Sequence, residues 1–245
     1  MRWFTADLHL HSVLSPCGGL EMSPRDLIAQ VKRKGIDWMA ITDHNSLANC
    51  SAYASVAARE GVHFTWGVEV QTAEEIHLLI YFDSSEKGKE FGELLYDSLL
   101  PLENNPDFFG DQVIIDENEN ILGMEPKALI NSSIWDLNTT VETALKFGGY
   151  CVPAHIDAEA NSIISQLGFI PPFPEFDLFG ITARANPEQL LNRYPSLEGK
   201  SFLRASDAHY LSDVGSGTSK ILAKEPSVYE LAQAALRAEG RKIEV

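Results

Sequence analysis

The chain is short of cysteine, of basic residues and of long apolar runs, and each shortage excludes something. Only three of its 245 residues are cysteine: Cys17, Cys50 and Cys151. They are too few and too scattered for a disulfide framework, so a reduced compartment is expected. Nineteen Lys and Arg stand against 35 Asp and Glu, a formal net charge of −16. That balance argues against a passive nucleic-acid coat, which needs cations to displace counterions, and against docking on anionic lipid. It leaves phosphorylated substrates open, because bound metal ions reverse the local field. The longest aliphatic run, residues 76–82, is interrupted by His77 and falls far short of a membrane span. The opening MRWFTADLHLHS has no apolar h-region, so the expectation is a cytoplasmic protein with no signal peptide and no membrane partner. No G-x-S-x-G, G-x-x-x-x-G-K-[ST] or G-x-G-x-x-G occurs, which removes the serine-hydrolase elbow and the usual phosphate cradles.

What is present reads as an α/β protein. Hydrophobic residues make up 44% and charged residues 22%, enough for a real core. Short apolar runs at 3–6, 37–42, 63–70, 76–82, 150–154, 178–182, 201–205, 218–223 and 242–245 read as strands. Ser23-Pro24 starts a helix that Gly35 ends, and an Ala-rich helix over 47–60 ends at Gly61. A further helix is expected over 227–239. Alternation of this kind implies parallel strands joined by helical crossovers, hence a distorted (β/α)7, TIM-like barrel. The length suits one such domain over residues 1–245. Residues 99–138, rich in Pro, Asn, Asp and Glu, break the rhythm. They read as an insertion, a lid or a decoration, whose VIIDENENILG forms a hairpin turning at 116–120.

Six of the seven histidines fall at or beside strand ends, where barrel enzymes carry their active face. His9 and His11 are two apart, so both point to one side of the first strand, with Asp7 on the same parity. His44 follows Asp43 after DWMAIT, Glu69 closes GVEV, and His155 follows YCVPA. Asp207 and His209 follow SFLRAS, and His77 lies within its own apolar run. Imidazole with carboxylate is ligand chemistry for Zn²⁺, Mn²⁺ or Fe²⁺ rather than for a lone Mg²⁺. The candidates are too many for one ion, so a carboxylate bridging two ions is needed, and Glu69 is the best placed. His63 fits none of these positions and reads as structural.

These motifs in this order resemble the PHP (polymerase and histidinol phosphatase) superfamily: Asp7-Leu8-His9-Leu10-His11-Ser12, Ile41-Thr42-Asp43-His44, Glu69, His77, Ala154-His155 and Ser206-Asp207-Ala208-His209. The likeness spans about residues 5–210. It implies a distorted seven-stranded barrel with two or three divalent ions (Zn, Mn or Fe) that hydrolyses phosphate esters. By motif, His9, His11, Glu69 and Asp207 would hold a first ion, and Glu69, His77 and His155 a second. His44 and His209 would hold a third, with one ligand from the loop after His11. That loop reads SVLSPCG here, which makes Cys17 a candidate thiolate ligand and Glu21 its alternative; a buried structural cysteine is the competing reading. Asp7 and Asp43 would orient ligand imidazoles from behind.

The implied reaction is in-line attack of a metal-bridging hydroxide on phosphorus, with Glu69, Asp207, His209 and an arginine as the catalytic set. Arg184, after FGIT, is preferred over Arg204, which sits within its strand, and over Arg25. A small phosphorylated substrate or short nucleotide is expected, and no extended duplex. The alternatives are a nuclease on short oligonucleotide ends, an amide hydrolase on the same ligands, and a non-catalytic accessory module. The sequence does not specify the oligomeric state.

Overall fold

The structure, a computed structural model, describes residues 1–16 and 18–245. Eleven strands follow in chain order: β1 (Arg2–Leu10), β2 (Trp38–Ile41), β3 (His63–Gln71), β4 (His77–Phe82), β5 (Val113–Ile115), β6 (Ile121–Met124), β7 (Tyr150–Pro153), β8 (Leu178–Ile181), β9 (Ser201–Arg204), β10 (Ser219–Ala223) and β11 (Lys242–Glu244). Between them lie α1 (Pro24–Arg33), α2 (Cys50–Glu60), α3 (Ser85–Ser98), α4 (Pro106–Phe109), α5 (Leu137–Lys146), α6 (Ile163–Leu167), α7 (Pro187–Arg193) and α8 (Val228–Ala235). α8 is shorter than the expected 227–239, because Arg237 and Glu239 adopt positive φ and break the helix. No helix among the described residues is long and apolar enough to cross a membrane.

Seven strands form one curled, half-barrel sheet in the order β11-β10-β1-β2-β3-β4-β7. β8 and β9 form a parallel pair that packs beside β7 at one side and β11 at the other. The expected all-parallel sheet is not found. β1–β2 and β2–β3 are parallel, whereas β1–β10, β10–β11, β3–β4 and β4–β7 are antiparallel. At β3–β4 the cause is chain length: residues 72–76 make a turn, far too short for a helical crossover. The reversal matters for function. It brings the start of β4 beside the end of β3.

Binary patterning sets two apolar layers. Phe4, Ala6, Leu8, Trp38, Ala40, Leu79, Tyr81, Leu178 and Leu203 fill the concave side of the sheet, and α8 covers them with Val228, Leu231 and Ala234. The opposite face packs Met39, Ile41, Val68, Val70 and Ile80 against the apolar stripes of α1, α2 and α3. Two buried polar side chains of the concave layer are paired: Trp38 Nε1 donates to Thr65 Oγ1 at 2.7 Å and the Tyr81 hydroxyl to the Leu8 carbonyl at 2.8 Å. Residues 113–124 form the expected hairpin, β5–β6, turning at Asp116–Asn120. Asn49 pins it to α2 by donating to the Val113 carbonyl at 2.9 Å and accepting from Ile115 N at 3.1 Å.

α8 and β11 are tied by a buried fork. Arg241 donates from Nε and Nη2 to the two Glu230 oxygens, both at 2.8 Å, with each side chain almost fully covered. The guanidinium holds the Glu230 carboxyl down to about 2, against an ordinary 4.5. A depressed carboxylate contributes stability that is complete above its unfolded value and lost as pH falls through its folded value. Thermal unfolding should therefore show a loss between about pH 4.5 and 2 that Glu230→Gln flattens. Arg241→Met, which leaves the Glu230 carboxylate without its partner, should lower the Tm at neutral pH. A neutral-pH Tm unchanged by Arg241→Met would contradict this account of the fork.

Candidate metal centre

The strand ends converge on one carboxylate. Glu69 is buried near the end of β3 and is bridged in parallel to His44, which follows β2. In the β3–β4 register Gln71 faces His77, so His77, the first residue of β4, stands two positions from Glu69. His155 follows β7, and Asp207 and His209 follow β9. His155 (φ 28°) and Asp207 (φ 54°) both sit in the left-handed region. Strain of that kind costs non-glycine residues of order 1–3 kcal/mol and persists where the surroundings over-determine it.

β1 delivers two ligand-type side chains through a bulge. Its register with β2 shifts between Asp7 and Leu10. Leu8 belongs to the concave layer and Leu10 to the helix-facing one, so simple alternation is broken between them. The expectation that Asp7 shares the side of His9 and His11 is corrected by this bulge. Asp7 accepts from the backbone N–H of Ser206 at 3.0 Å and of Gly215 at 3.2 Å. It fixes the segment that carries Asp207, and among the described residues it makes no hydrogen bond to an imidazole.

The distances are tight. Glu69 Oε1 lies 3.2 Å from His9 Nε2, 3.0 Å from His77 Nδ1 and 3.2 Å from His155 Nε2. Glu69 Oε2 lies 3.0 Å from His44 Nδ1 and 3.5 Å from His11 Nε2. Asp207 Oδ1 is 3.0 Å from His11 Nε2 and 3.2 Å from His9 Nε2. The His209 ring stacks on His11 with centroids 3.9 Å apart. Three groups could each hold an ion: His9, His11, Glu69 and Asp207; His44, Glu69 and His77; and His11, His44 and His209. Glu69 belongs to two of them. Cys17 lies outside the described residues, and Glu21 is exposed and in none of these groups.

Proton accounting shows that a cation fits. Asp43 accepts from Ser12 N, Ser12 Oγ and Ser15 Oγ at 2.6–2.9 Å. Having given its only proton to Asp43, Ser15 must accept from His11 Nδ1, 2.7 Å away. Burial and the neighbouring His209 hold His11 well below the usual imidazole range. Its Nε2 lone pair then faces the Asp207 carboxylate, acceptor against acceptor. His9 Nε2, His44 Nδ1 and Glu69 Oε2 are buried without a hydrogen bond, although heteroatoms face them at about 3 Å. In the bare cluster, burial opposes charge on His9, yet Asp207 and Glu69 raise it to about 9. A divalent ion among these lone pairs supplies the positive charge without protonating a ligand.

The supporting residues explain how the ligands are held. Asp43 acts through Ser15, which also accepts from the His44 backbone N–H at 3.2 Å. His77 Nε2 lies 3.1 Å from Gln71 Oε1 and 3.0 Å from the Asn161 amide. Asn45 donates to the carbonyls of Leu129 and Asn131, and Gln71 donates to Ser132 Oγ at 3.0 Å. These bonds moor the insertion against the end of β3. Ser15, Gln71, Asn45 and Asn161 escaped the sequence reading. Only Gln71 carried a usable signal, since it shares parity with Glu69. His63 is remote, within reach of Arg2 at the start of β3, and Arg25 faces Glu119 on the hairpin.

A cavity of about 270 Å³ opens beside the cluster, lined by His9, His155, Asp207 and Arg184 over an apolar floor of Leu79 and Leu203. Arg204 donates to the carbonyls of Ala183 and Ala185, so it braces the loop that presents Arg184. No residue of 99–138 lines this cavity among the described residues. Asn45 and Gln71 hold the 129–132 part of the insertion against the end of β3.

The PHP domain model matches residues 7–163. The chain belongs to the PHP-domain family. Among solved structures, this PHP chain is similar to the lesion-specific endonuclease PfuEndoQ from Pyrococcus furiosus (TM-score 0.71, 18% identity, 99% of this chain and 58% of that one). It is similar also to endonuclease Q in complex with a 27-mer duplex carrying an abasic lesion at the active site (TM-score 0.70, 17% identity, 98% and 58%). An uncharacterized protein of Methanocaldococcus jannaschii, MJ1587, is 33% identical over 92 residues, 34% of this chain and 54% of that protein. The PHP chain thus spans little more than half the length of each.

If Ser15 and Asp43 orient His11 for metal, Ser15→Ala and Asp43→Asn should each weaken metal affinity by about 10–100-fold. Chelator-competition titration reads this, with circular dichroism reporting the fold. Unchanged affinity in both variants would show that the relay plays no such part.

Proposed function

We propose that this PHP domain is a metal-dependent phosphoesterase that hydrolyses a small phosphorylated substrate. The observation that carries the reading is Glu69: one buried carboxylate shared between two ligand groups, beside a cavity that also presents Arg184. His9, His11, Glu69 and Asp207 would hold a first ion, Glu69, His77 and His155 a second, and His44 and His209 a third. Zn, Mn and Fe all suit this donor set. When bound, such ions make a water nucleophilic near neutral pH and offset charge on phosphoryl oxygens.

The chain's own residues do the rest. Glu69 spans the ligand groups with both oxygens and fixes their spacing. Asp207, the most open of the carboxylates, faces the cavity and is held by two imidazoles. Arg184 lines the same cavity, and its guanidinium would bind the oxygens where negative charge grows. His209 stacks on His11 with ring centroids 3.9 Å apart and would serve the leaving group. No side chain has to be phosphorylated in such a displacement. Leu79, Ile181 and Leu203 keep the floor apolar, which strengthens each of these charge interactions.

The competing reading is a nuclease on oligonucleotide ends. The endonuclease Q structures support the fold, and their DNA substrate belongs to them. A cavity of about 270 Å³ suits one phosphate and a slim substituent, and the charge of −16 disfavours long polyanions. We place the protein in a reduced compartment, the cytoplasm, because its three cysteines are too few and too scattered for a disulfide framework.

A panel of phosphomonoesters and phosphodiesters, run on protein of measured metal content, tests the proposal. Turnover should appear, vanish with chelator, fall to background in His155→Ala and fall by about 10²–10³-fold in Arg184→Ala. Full activity in His155→Ala would break the metal assignment. Silence on both ester classes with the sites loaded would break the function.

A further inference from the structure

The last residue of β3 and the first of β4 lie opposite each other in the sheet: Gln71 pairs with His77, and both side chains are buried. His77 turns Nδ1 toward the cluster, 3.0 Å from Glu69 Oε1 and 3.3 Å from His155 Nε2. Its other nitrogen, Nε2, faces two amides, with Gln71 Oε1 at 3.1 Å and Asn161 Nδ2 at 3.0 Å. A neutral imidazole carries one N–H, and the two amides make opposite demands on it. Gln71 Oε1 needs a proton on Nε2, whereas Asn161 Nδ2 needs a lone pair there. A ligand to an ion shared with Glu69 must offer its lone pair at Nδ1, which puts the proton on Nε2. Gln71 thus favours the tautomer that can hold metal, and Asn161 the one that donates to Glu69.

The anchoring of the two amides decides between them. Gln71 Nε2 donates to Ser132 Oγ at 3.0 Å, its backbone N–H donates to Asn45 Oδ1 at 2.9 Å, and its carbonyl accepts from Ser133 N at 2.9 Å. These bonds hold the side chain with Oε1 toward the ring. Turning it over would set two NH₂ groups against one ring nitrogen. The Asn161 carbonyl accepts from the His77 backbone N–H at 2.8 Å, so that residue stays beside the ring. Its amide has no other hydrogen-bond partner among the described residues and is free to present its oxygen instead. We propose that Gln71 is a positioning residue for the metal centre: it keeps the His77 proton on Nε2, and Ser132 of the insertion holds it in place. The insertion then acts on the ion that Glu69 and His77 share, although it supplies no ligand. The inference rests on the metal assignment of the proposed function and extends it to residue 132.

Zinc titration against a competing chelator tests this, with ions per chain counted by elemental analysis. In Gln71→Leu one ion should bind about 10–100-fold more weakly and the others as in the wild type. Gln71→Glu keeps an acceptor facing Nε2 and should bring that ion back to within about threefold of wild type. Ser132→Ala should weaken the same ion by less. Ring-nitrogen NMR of zinc-loaded protein with isotope-labelled histidines adds a signature that a merely structural role would not move. His77 should be protonated at Nε2 in the wild type and in Gln71→Glu, and that N–H signal should be lost to exchange in Gln71→Leu. Wild-type affinity for every ion in Gln71→Leu would overturn the proposal. So would equal weakening of all the ions, which would make Gln71 a structural residue, or a Gln71→Glu protein as weak as Gln71→Leu. A wild-type protein that takes up no zinc would overturn the metal assignment itself, and this inference with it.

Discussion

A carboxylate sealed from water among imidazole lone pairs is the constraint on which this structure turns. Glu69 faces five histidines within 3.5 Å and is almost wholly buried. Burying such a charge costs several kcal/mol unless positive charge comes with it. Protonated imidazoles can supply it, as the raised His9 shows, but only by giving up lone pairs that the surrounding bonds aim inward. Divalent ions supply it without that loss. The bulge in β1, the reversed β4, and the left-handed backbone at His155 and Asp207 all serve one end, to bring ligand atoms from distant parts of the chain to this carboxylate.

That view explains the uneven distribution of charge. The protein is acidic overall, yet Glu69 and Asp207 would be offset by bound ions, and Arg184 lines the cavity beside them. A phosphate arriving at the mouth would meet positive potential even though the exterior repels polyanions. The scarcity of lysine and arginine therefore bears on the outside of the molecule, not on its chemistry.

Much of this was legible in the sequence, for identifiable reasons. Strands such as 38–41 and 178–181 are short, apolar and closed by turn residues, so their positions were clear. The hairpin at 113–124 announced itself by its D-E-N-E-N turn, and Gly35 and Gly61, both at positive φ, marked the ends of α1 and α2. Spacing exposed His9 and His11, and strand-end placement exposed Glu69, His155 and Asp207. Strand polarity was not legible, because a run of apolar residues carries no direction and the 72–76 turn holds no strong hairpin signal. The role of Asp7 was misread because a bulge leaves no mark on the pattern of residue types. Ser15, Gln71 and Asn161 act through tertiary contacts, which no local spacing records. Composition marked the insertion but not its anchoring, which Asn45 and Gln71 provide through tertiary hydrogen bonds.

Metal content most directly tests the central claim. Protein purified without chelator, reloaded with manganese or zinc and desalted, should carry two or three ions per chain by elemental analysis. Glu69→Ala should carry fewer than one. Retention of the full complement by Glu69→Ala, or a wild-type protein that takes up no metal while folded, would contradict the account.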